Sequence, residues 1–197
     1  MTPGSELILV NKKDVLMIVD VQRDFCPDGA LPVPECDQVV PVLNEYMERF
    51  RRAGAQIYAT RDWHPSNHIS FKAYGGMWPP HCIQGSEGAK FHLNLMLPEE
   101  VKIISKATVP SKESYSGFDG TKLKEELKKK GIKRVFAGGL ATDYCVKNTV
   151  LDALELGFQT ILLVDAIRGV NVKHDDSKKA IEETIKKCAK KATLSDV

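Results

Sequence analysis

Three residue types that can break an amide bond stand at the ends of apolar runs in this chain: Asp20, Lys106 and Cys145. Cys145 closes the stretch Val135-Phe-Ala-Gly-Gly-Leu-Ala-Thr-Asp-Tyr-Cys145, in which an apolar run and two glycines lead into a helical pattern. With Thr142 as N-cap, Cys145 is the third helical residue. Its sulfur then lies near unpaired N–H groups and the positive end of a helix dipole, which favours thiolate. Each residue alone also has an ordinary use. A lone cysteine is commonly a small packing residue, an Asp at a strand end a turn former, and a Lys a surface group. Together they form a set: a carboxylate to take a thiol proton and return it to a leaving amine, an ammonium to stabilise the thiolate, and a thiolate to attack a carbonyl. The N–H groups of Ala141 and Cys145 would face the resulting oxyanion. The chemistry this describes is acyl transfer from an amide.

A second constellation suits a metal ion. In Asp62-Trp63-His64, residues i and i+2 of a strand end point to one side, so the carboxylate and imidazole can share an ion while Trp63 points away. His81, in Trp78-Pro-Pro-His-Cys, can supply a third ligand. An O,N,N set with open positions suits Zn²⁺ first, with Fe²⁺ and Mn²⁺ as alternatives. His68 either completes a four-ligand set or hydrogen-bonds within its loop. The alternative for the whole group is a capping Asp62 with ordinary loop histidines. Phe25, Trp78 and Tyr115 are candidate walls for a pocket that takes a flat ring, or core residues.

These residues need a scaffold, and the hydrophobic pattern predicts one. Val15–Val19 is a continuous apolar run, as in a strand buried on both faces, and Gln22–Glu35 is a loop rich in Pro, Gly and Asp. A helix capped by Asp37 follows, with Val40, Leu43, Met47 and Phe50 on one face and Gly54 as its stop. Further strands are predicted over 55–60, 101–105, 134–137 and 158–164, and helices over 121–130, 143–156 and from Asp175 or Asp176 to about Lys190, with a short last strand over 192–194. The segment 61–97 has little periodicity but holds four of the five histidines and both tryptophans, the mark of a functional loop region. Strands alternating with helices predict a mostly parallel sheet covered on both faces, with ligands beyond the carboxyl ends of the strands.

Composition excludes several classes. The 28 basic residues are nearly matched by 26 acidic ones, and the lysine-rich stretches are interleaved with glutamates, so no nucleic-acid partner is expected. Residues 1–11 lack the pattern of a secretory leader, and no run is long enough to span a bilayer, which predicts no membrane association and a cytoplasmic location. The length fits one domain over residues 1–197. Five cysteines without a CxxC pair make a disulfide framework unexpected. GxGxxG and GxxxxGK[ST] are both absent.

Six segments in order, IVDVQRDFC, RDWHPSNHISF, WPPHC, ISKAT, YSGF and GLATDYCV, resemble nicotinamidases (pyrazinamidases) of the isochorismatase-like cysteine hydrolase superfamily. The resemblance runs from about Asp14 to Asp165. It implies a Rossmann-like three-layer α/β/α sandwich and hydrolysis of nicotinamide to nicotinate and ammonia, as in NAD salvage, with pyrazinamide as a second substrate. Carried over by position, Cys145 is the nucleophile, Asp20 the general acid/base and Lys106 the third catalytic residue. Asp62, His64 and His81 become metal ligands, the metal anchoring the ring nitrogen and bound waters. Phe25, Trp78, Tyr115 and Ala141 fall in the substrate site. The resemblance also implies a cis Leu140–Ala141 peptide that aims an N–H at the oxyanion, and a homo-oligomer. Two other readings stand beside it: a hydrolase of a carbamoyl or ureido compound, and a noncatalytic binding module on the same fold.

Overall fold

The computed structural model describes residues 7–197; part of the segment read for a leader, 1–6, lies outside the described residues. Six strands, β1 (Asp14–Val19), β2 (Gln56–Asp62), β3 (Lys102–Lys106), β4 (Arg134–Leu140), β5 (Gln159–Arg168) and β6 (Lys190–Ala192), form one sheet in the order β3-β2-β1-β4-β5-β6. Every pairing is parallel. The helices are α1 (Val39–Arg52), α2 (Leu123–Lys129), α3 (Lys147–Glu155) and α4 (Asp176–Lys186).

Alternation along the strands sorts the core into two layers. Leu16 and Ile18 of β1 pack with Leu43, Met47 and Phe50 of α1. Val15, Met17 and Val19 face the other way, toward Leu123 and Leu127 of α2 and Val150 and Ala153 of α3. A strand with both faces covered must be apolar throughout, which is why Val15–Val19 shows no polar alternation. The result is the expected α/β/α sandwich, with β1 central and the order of strand addition reversing between β1 and β4 while all strands stay parallel.

Element ends moved where local geometry overrode pattern. The helix expected over 143–156 is two pieces: a π-turn, Thr142–Val146, then α3. Thr142 makes no capping bond, and Val146 N–H reaches back five residues to Ala141 O, 3.1 Å away. Cys145 is therefore not the third residue of an α-helix capped by Thr142: it lies inside a widened turn of the kind that recurs at functional sites. The last helix ends at Lys186, and Lys190 belongs to β6, so the final strand starts two residues earlier than its pattern suggested. β4 extends to Leu140 because Gly138 and Gly139 stay in the sheet. Gly139 has φ +122°, and a Cβ there would lie 2.1 Å from Val19 O, so only glycine lets β4 run this close to β1.

The cysteines build no disulfide framework, but two of them pair. Cys26 and Cys36, ten positions apart, form a disulfide that closes the loop between Phe25 and the start of the α1 region. It is a single staple on one loop, its ends brought to a Cα separation of 5.3 Å by the fold. Cys82, Cys145 and Cys188 are free thiols.

Candidate active site

The carboxyl ends of β1 to β4 converge at the point where strand order reverses, the usual ligand position in an open parallel sheet. Register does most of the placing. Asp62, last in β2, stands beside Lys106, last in β3, and Val19, just before Asp20, stands beside Gly139. Asp20 has φ +48°, a conformation Asp tolerates better than most residues, and the turn swings its carboxylate under the neighbouring strand ends. Thr60 of β2 fixes it, donating from Oγ1 to Asp20 Oδ1 at 2.6 Å.

Lys106 is the hub. Its side chain is fully buried, with Nζ 2.9 Å from Asp20 Oδ2, hydrogen-bonded to Asp62 Oδ1, 3.2 Å from Ser114 O and 3.3 Å from Cys145 Sγ. Burial opposes its charge, but the two carboxylates outweigh burial and hold its pKa well above the ordinary value. For Asp62, burial pulls upward while Lys106, His64 and His81 outweigh it, so the carboxyl is held below its usual range. Asp20 goes the other way: burial raises its pKa, aided by the Asp62 charge and only partly offset by Lys106. Burial also pushes the Cys145 thiol well up, with Lys106 pulling down. Desolvation thus works against the helix-end argument for a thiolate and favours the Cys145 thiol, which stands beside the Asp20 carboxyl. Oxygens of Asp20 and Asp62 and Cys145 Sγ all lie within 4.8 Å of one another.

The metal candidates also come together. One ligand atom each from Asp62, His64 and His81 lie within 4.8 Å of one another, all three residues buried. Their tautomers are set from behind. His64 Nδ1–H donates to His81 O at 3.0 Å and His81 Nδ1–H to Pro79 O at 2.8 Å, leaving both Nε2 lone pairs for an ion. Among the described residues, the buried side-chain atoms without a hydrogen-bond partner include His64 Nε2. A buried imidazole nitrogen aimed at a carboxylate and a second imidazole fits a divalent cation. Burial lowers the His64 pKa to about 4, which keeps it neutral and able to ligate. His68 is answered differently. Its Nε2–H donates to Lys112 O at 3.0 Å, and its Nδ1 accepts from Ser70 Oγ at 2.7 Å, so neither nitrogen is free. It supports the loop, with its ring 4.4 Å from that of His64.

Phe25, Trp78, Tyr115 and Ala141, with Asp62, His81 and Cys145, line a small, tight cavity. Trp78 Nε1–H donates to Tyr115 Oη at 3.1 Å, which keeps both rings in the wall. Leu31, Tyr144 and Val170 complete the lining and were missed in the sequence. Tyr144 was within reach, as the neighbour of Cys145 packed edge-on to Trp78; Leu31 and Val170 carry no chemical signal. The Leu140–Ala141 peptide is cis.

This arrangement has known counterparts. The Isochorismatase domain family model matches residues 14–196. The chain belongs to the isochorismatase family. Family members similar to it include the nicotinamidase of Escherichia coli (strain K12), 39% identical over 92% of this chain and 95% of that protein. Among solved structures, the pyrazinamidase of Pyrococcus horikoshii in complex with zinc is 51% identical, with a TM-score of 0.89 over 92% of this chain and 99% of the other. PnC1 from L. infantum in complex with nicotinate is 34% identical, with a TM-score of 0.89 over 96% and 98%.

Proposed function

We propose that this protein is a nicotinamidase, hydrolysing nicotinamide to nicotinate and ammonia through a Cys145 thioester, and that it also accepts pyrazinamide. One observation carries the reading: the buried Asp20, Lys106 and Cys145 set shares Lys106 with the Asp62, His64 and His81 cluster beneath a pocket lined by flat rings. A thiol next to a carboxyl and a buried ammonium can attack an amide carbonyl and protonate the leaving amine; the candidate metal ligands and aromatic groups suit a pyridine ring. The named activities of similar proteins agree.

In the first half-reaction the Asp20 carboxylate takes the Cys145 proton as the sulfur bonds to the carboxamide carbon. Lys106, 3.3 Å from Sγ, keeps the developing thiolate in place. The N–H groups of Ala141 and Cys145 face the oxyanion. Asp20 then returns the proton to the amide nitrogen, the C–N bond breaks, and ammonia leaves a thioester. In the second half Asp20 takes a proton from water, the resulting hydroxide displaces sulfur, and nicotinate departs as Cys145 regains its proton. A carboxyl whose pKa is raised by burial suits this exchange. Asp62, His64 and His81 would hold a divalent cation, Zn²⁺ first, with Fe²⁺ and Mn²⁺ as alternatives; when bound it anchors and polarises the pyridine nitrogen.

The same reading makes residues 1–197 one catalytic domain, active in the cytoplasm in NAD salvage, as a homo-oligomer, with no nucleic-acid or membrane partner. No described helix is long and apolar enough to cross a membrane. Disulfides are rare in the cytosol of mesophiles, and the Cys26–Cys36 staple is of a kind found in intracellular proteins of hyperthermophiles. The deciding measurement is ammonia release from nicotinamide by the metal-loaded enzyme, with nicotinate formed in equal amount. No release overturns the assignment.

A further inference from the structure

The geometry points to Asp143 as a positioning residue that fastens one wall of the substrate pocket to the turn carrying the nucleophile. It rests on the proposed amidase reading only for what the pocket holds. Asp143 lies two residues before Cys145 and is buried, at 7% exposure. Both of its oxygens accept backbone N–H groups from the segment after β5: Val170 N–H donates to Oδ1 at 3.0 Å, Asn171 N–H to Oδ2 at 2.7 Å. Val170 lines the cavity with Cys145.

The segment has little freedom to sit elsewhere. An irregularity in the β4–β5 pairing moves the register from Ala137 beside Leu162 to Gly139 beside Ile167, and Leu140 then pairs with Arg168. The chain after Arg168 therefore continues alongside Ala141 and the π-turn. Gly169 is pressed between two side chains: a Cβ there would lie 1.8 Å from Ser177 Oγ and 3.0 Å from Asp143 Oδ1. Asn171, at φ +52°, accepts Ser177 N–H on Oδ1 at 2.9 Å, tying the far side to α4. A carboxylate suits the near side because it offers two acceptors and no donor. An amide of the same shape would turn an NH₂ toward a backbone N–H.

Asp143 thus sets where the Val170 wall stands relative to Cys145. Loosening it weakens the hold on the substrate ring and relaxes exclusion of bulkier rings, while the thiol and its partners stay in place. In Asp143→Asn we expect KM for nicotinamide to rise about tenfold with kcat changed less than about threefold. The kcat/KM ratio of 5-methylnicotinamide to nicotinamide should rise, and inactivation by iodoacetamide without substrate should keep its rate. Val170→Ala should shift KM and the ratio the same way, and the double variant should be no worse than the worse single one, because both act on one wall. Unchanged KM and ratio in Asp143→Asn, or effects that multiply in the double variant, would overturn the proposal. Amide exchange on the wild-type protein tests it without a variant: Val170 and Asn171 N–H should exchange much more slowly than exposed Val172, and equal rates refute the clamp. If wild-type enzyme releases no ammonia from nicotinamide, the substrate assignment fails while the exchange result still decides the clamp.

Discussion

The two halves of the site are held by different means. Asp20, Lys106 and the turn of Cys145 grow directly from strand ends, so their mutual placement follows from sheet register. His64 and His81 sit in the irregular segment between β2 and β3, where side chains replace the missing ladder. Gln22 brackets Asp62, accepting from its N–H at 2.7 Å and donating to its C=O at 2.8 Å. Asp24 accepts Cys82 N–H at 2.6 Å beside His81 and Ala30 N–H at 3.2 Å across the disulfide loop. Phe71 packs edge-on against the rings of His64, His68 and His81. A sheet positions reacting groups through many shared hydrogen bonds, whereas a loop depends on a few buried polar side chains, each individually costly to lose. Lys106 belongs to both halves.

The sharpest way to separate them is to remove the proposed nucleophile alone. Cys145→Ala should lower kcat by about 10⁴-fold or more, by analogy with other nucleophile deletions, while metal content stays as in the wild type. Retained turnover would sink the covalent mechanism, and metal loss would show that the halves are not separable at Cys145.

Removing the shared residue should damage both. Lys106→Met leaves the Asp20 and Asp62 carboxyls buried without their cation, a change that costs about 3–5 kcal/mol in comparable buried pairs. Denaturant unfolding with and without added Zn²⁺ reads this. We expect a large loss in metal-free protein, partly recovered by metal, because an ion can neutralise Asp62. A variant as stable as the wild type in both conditions would mean that the carboxyls simply protonate at little cost.

The metal half should show itself in acid. His64 has its pKa lowered by burial to about 4, against 6.5 for the unperturbed group. The unfolded chain therefore binds this proton at higher pH than the folded protein does. The contribution is complete above 6.5 and is lost as pH falls from 6.5 toward about 4, and the gap corresponds to about 3 kcal/mol in metal-free protein. Urea midpoints of chelated protein across that window measure it, and His64→Asn should flatten the slope. An equal slope in wild type and variant would place the acid sensitivity elsewhere.

What the sequence disclosed divides along the same line. Apolar runs such as Val15–Val19 and the face of α1 announced the sheet and its order of elements, because burial on both sides of a parallel strand leaves an unbroken signal. Residues with their own chemistry at strand ends were visible for the same reason, and all ten candidate side chains and peptides gather at one end of the sheet. The π-turn was not visible, since Thr142 looks like a cap and only tertiary packing widens the turn around Ala141 O. Helix position alone favours a thiolate at Cys145, but it carries no information on burial, which pushes the thiol pKa up. The Cys26–Cys36 bond was hidden by an odd cysteine count, and Val170 by its plain chemistry. His68 shows the limit from the other side. A histidine close to two candidate ligands in sequence could complete a four-ligand set or brace its loop, and its two hydrogen bonds favour the brace.

Gln22 tests the claim that the loop half depends on single side chains. It is fully buried, its Nε2 also donates to Ala89 O at 2.9 Å, and so it joins the turn after Asp20 to Asp62 and to the far end of the long loop. Gln22→Leu keeps the bulk but leaves the Asp62 N–H and C=O and the Ala89 C=O without this partner. Residues standing directly behind metal ligands typically contribute about 10–100-fold to metal affinity. We therefore expect Zn²⁺ affinity to fall by about that factor in competition with a chromophoric chelator. The iodoacetamide rate at Cys145 should change far less, since Asp20 keeps Thr60 and Lys106. If thiol reactivity fell as steeply as metal affinity, Gln22 would be holding the strand ends as well as the loop, and the division between the two halves would lie farther from β1.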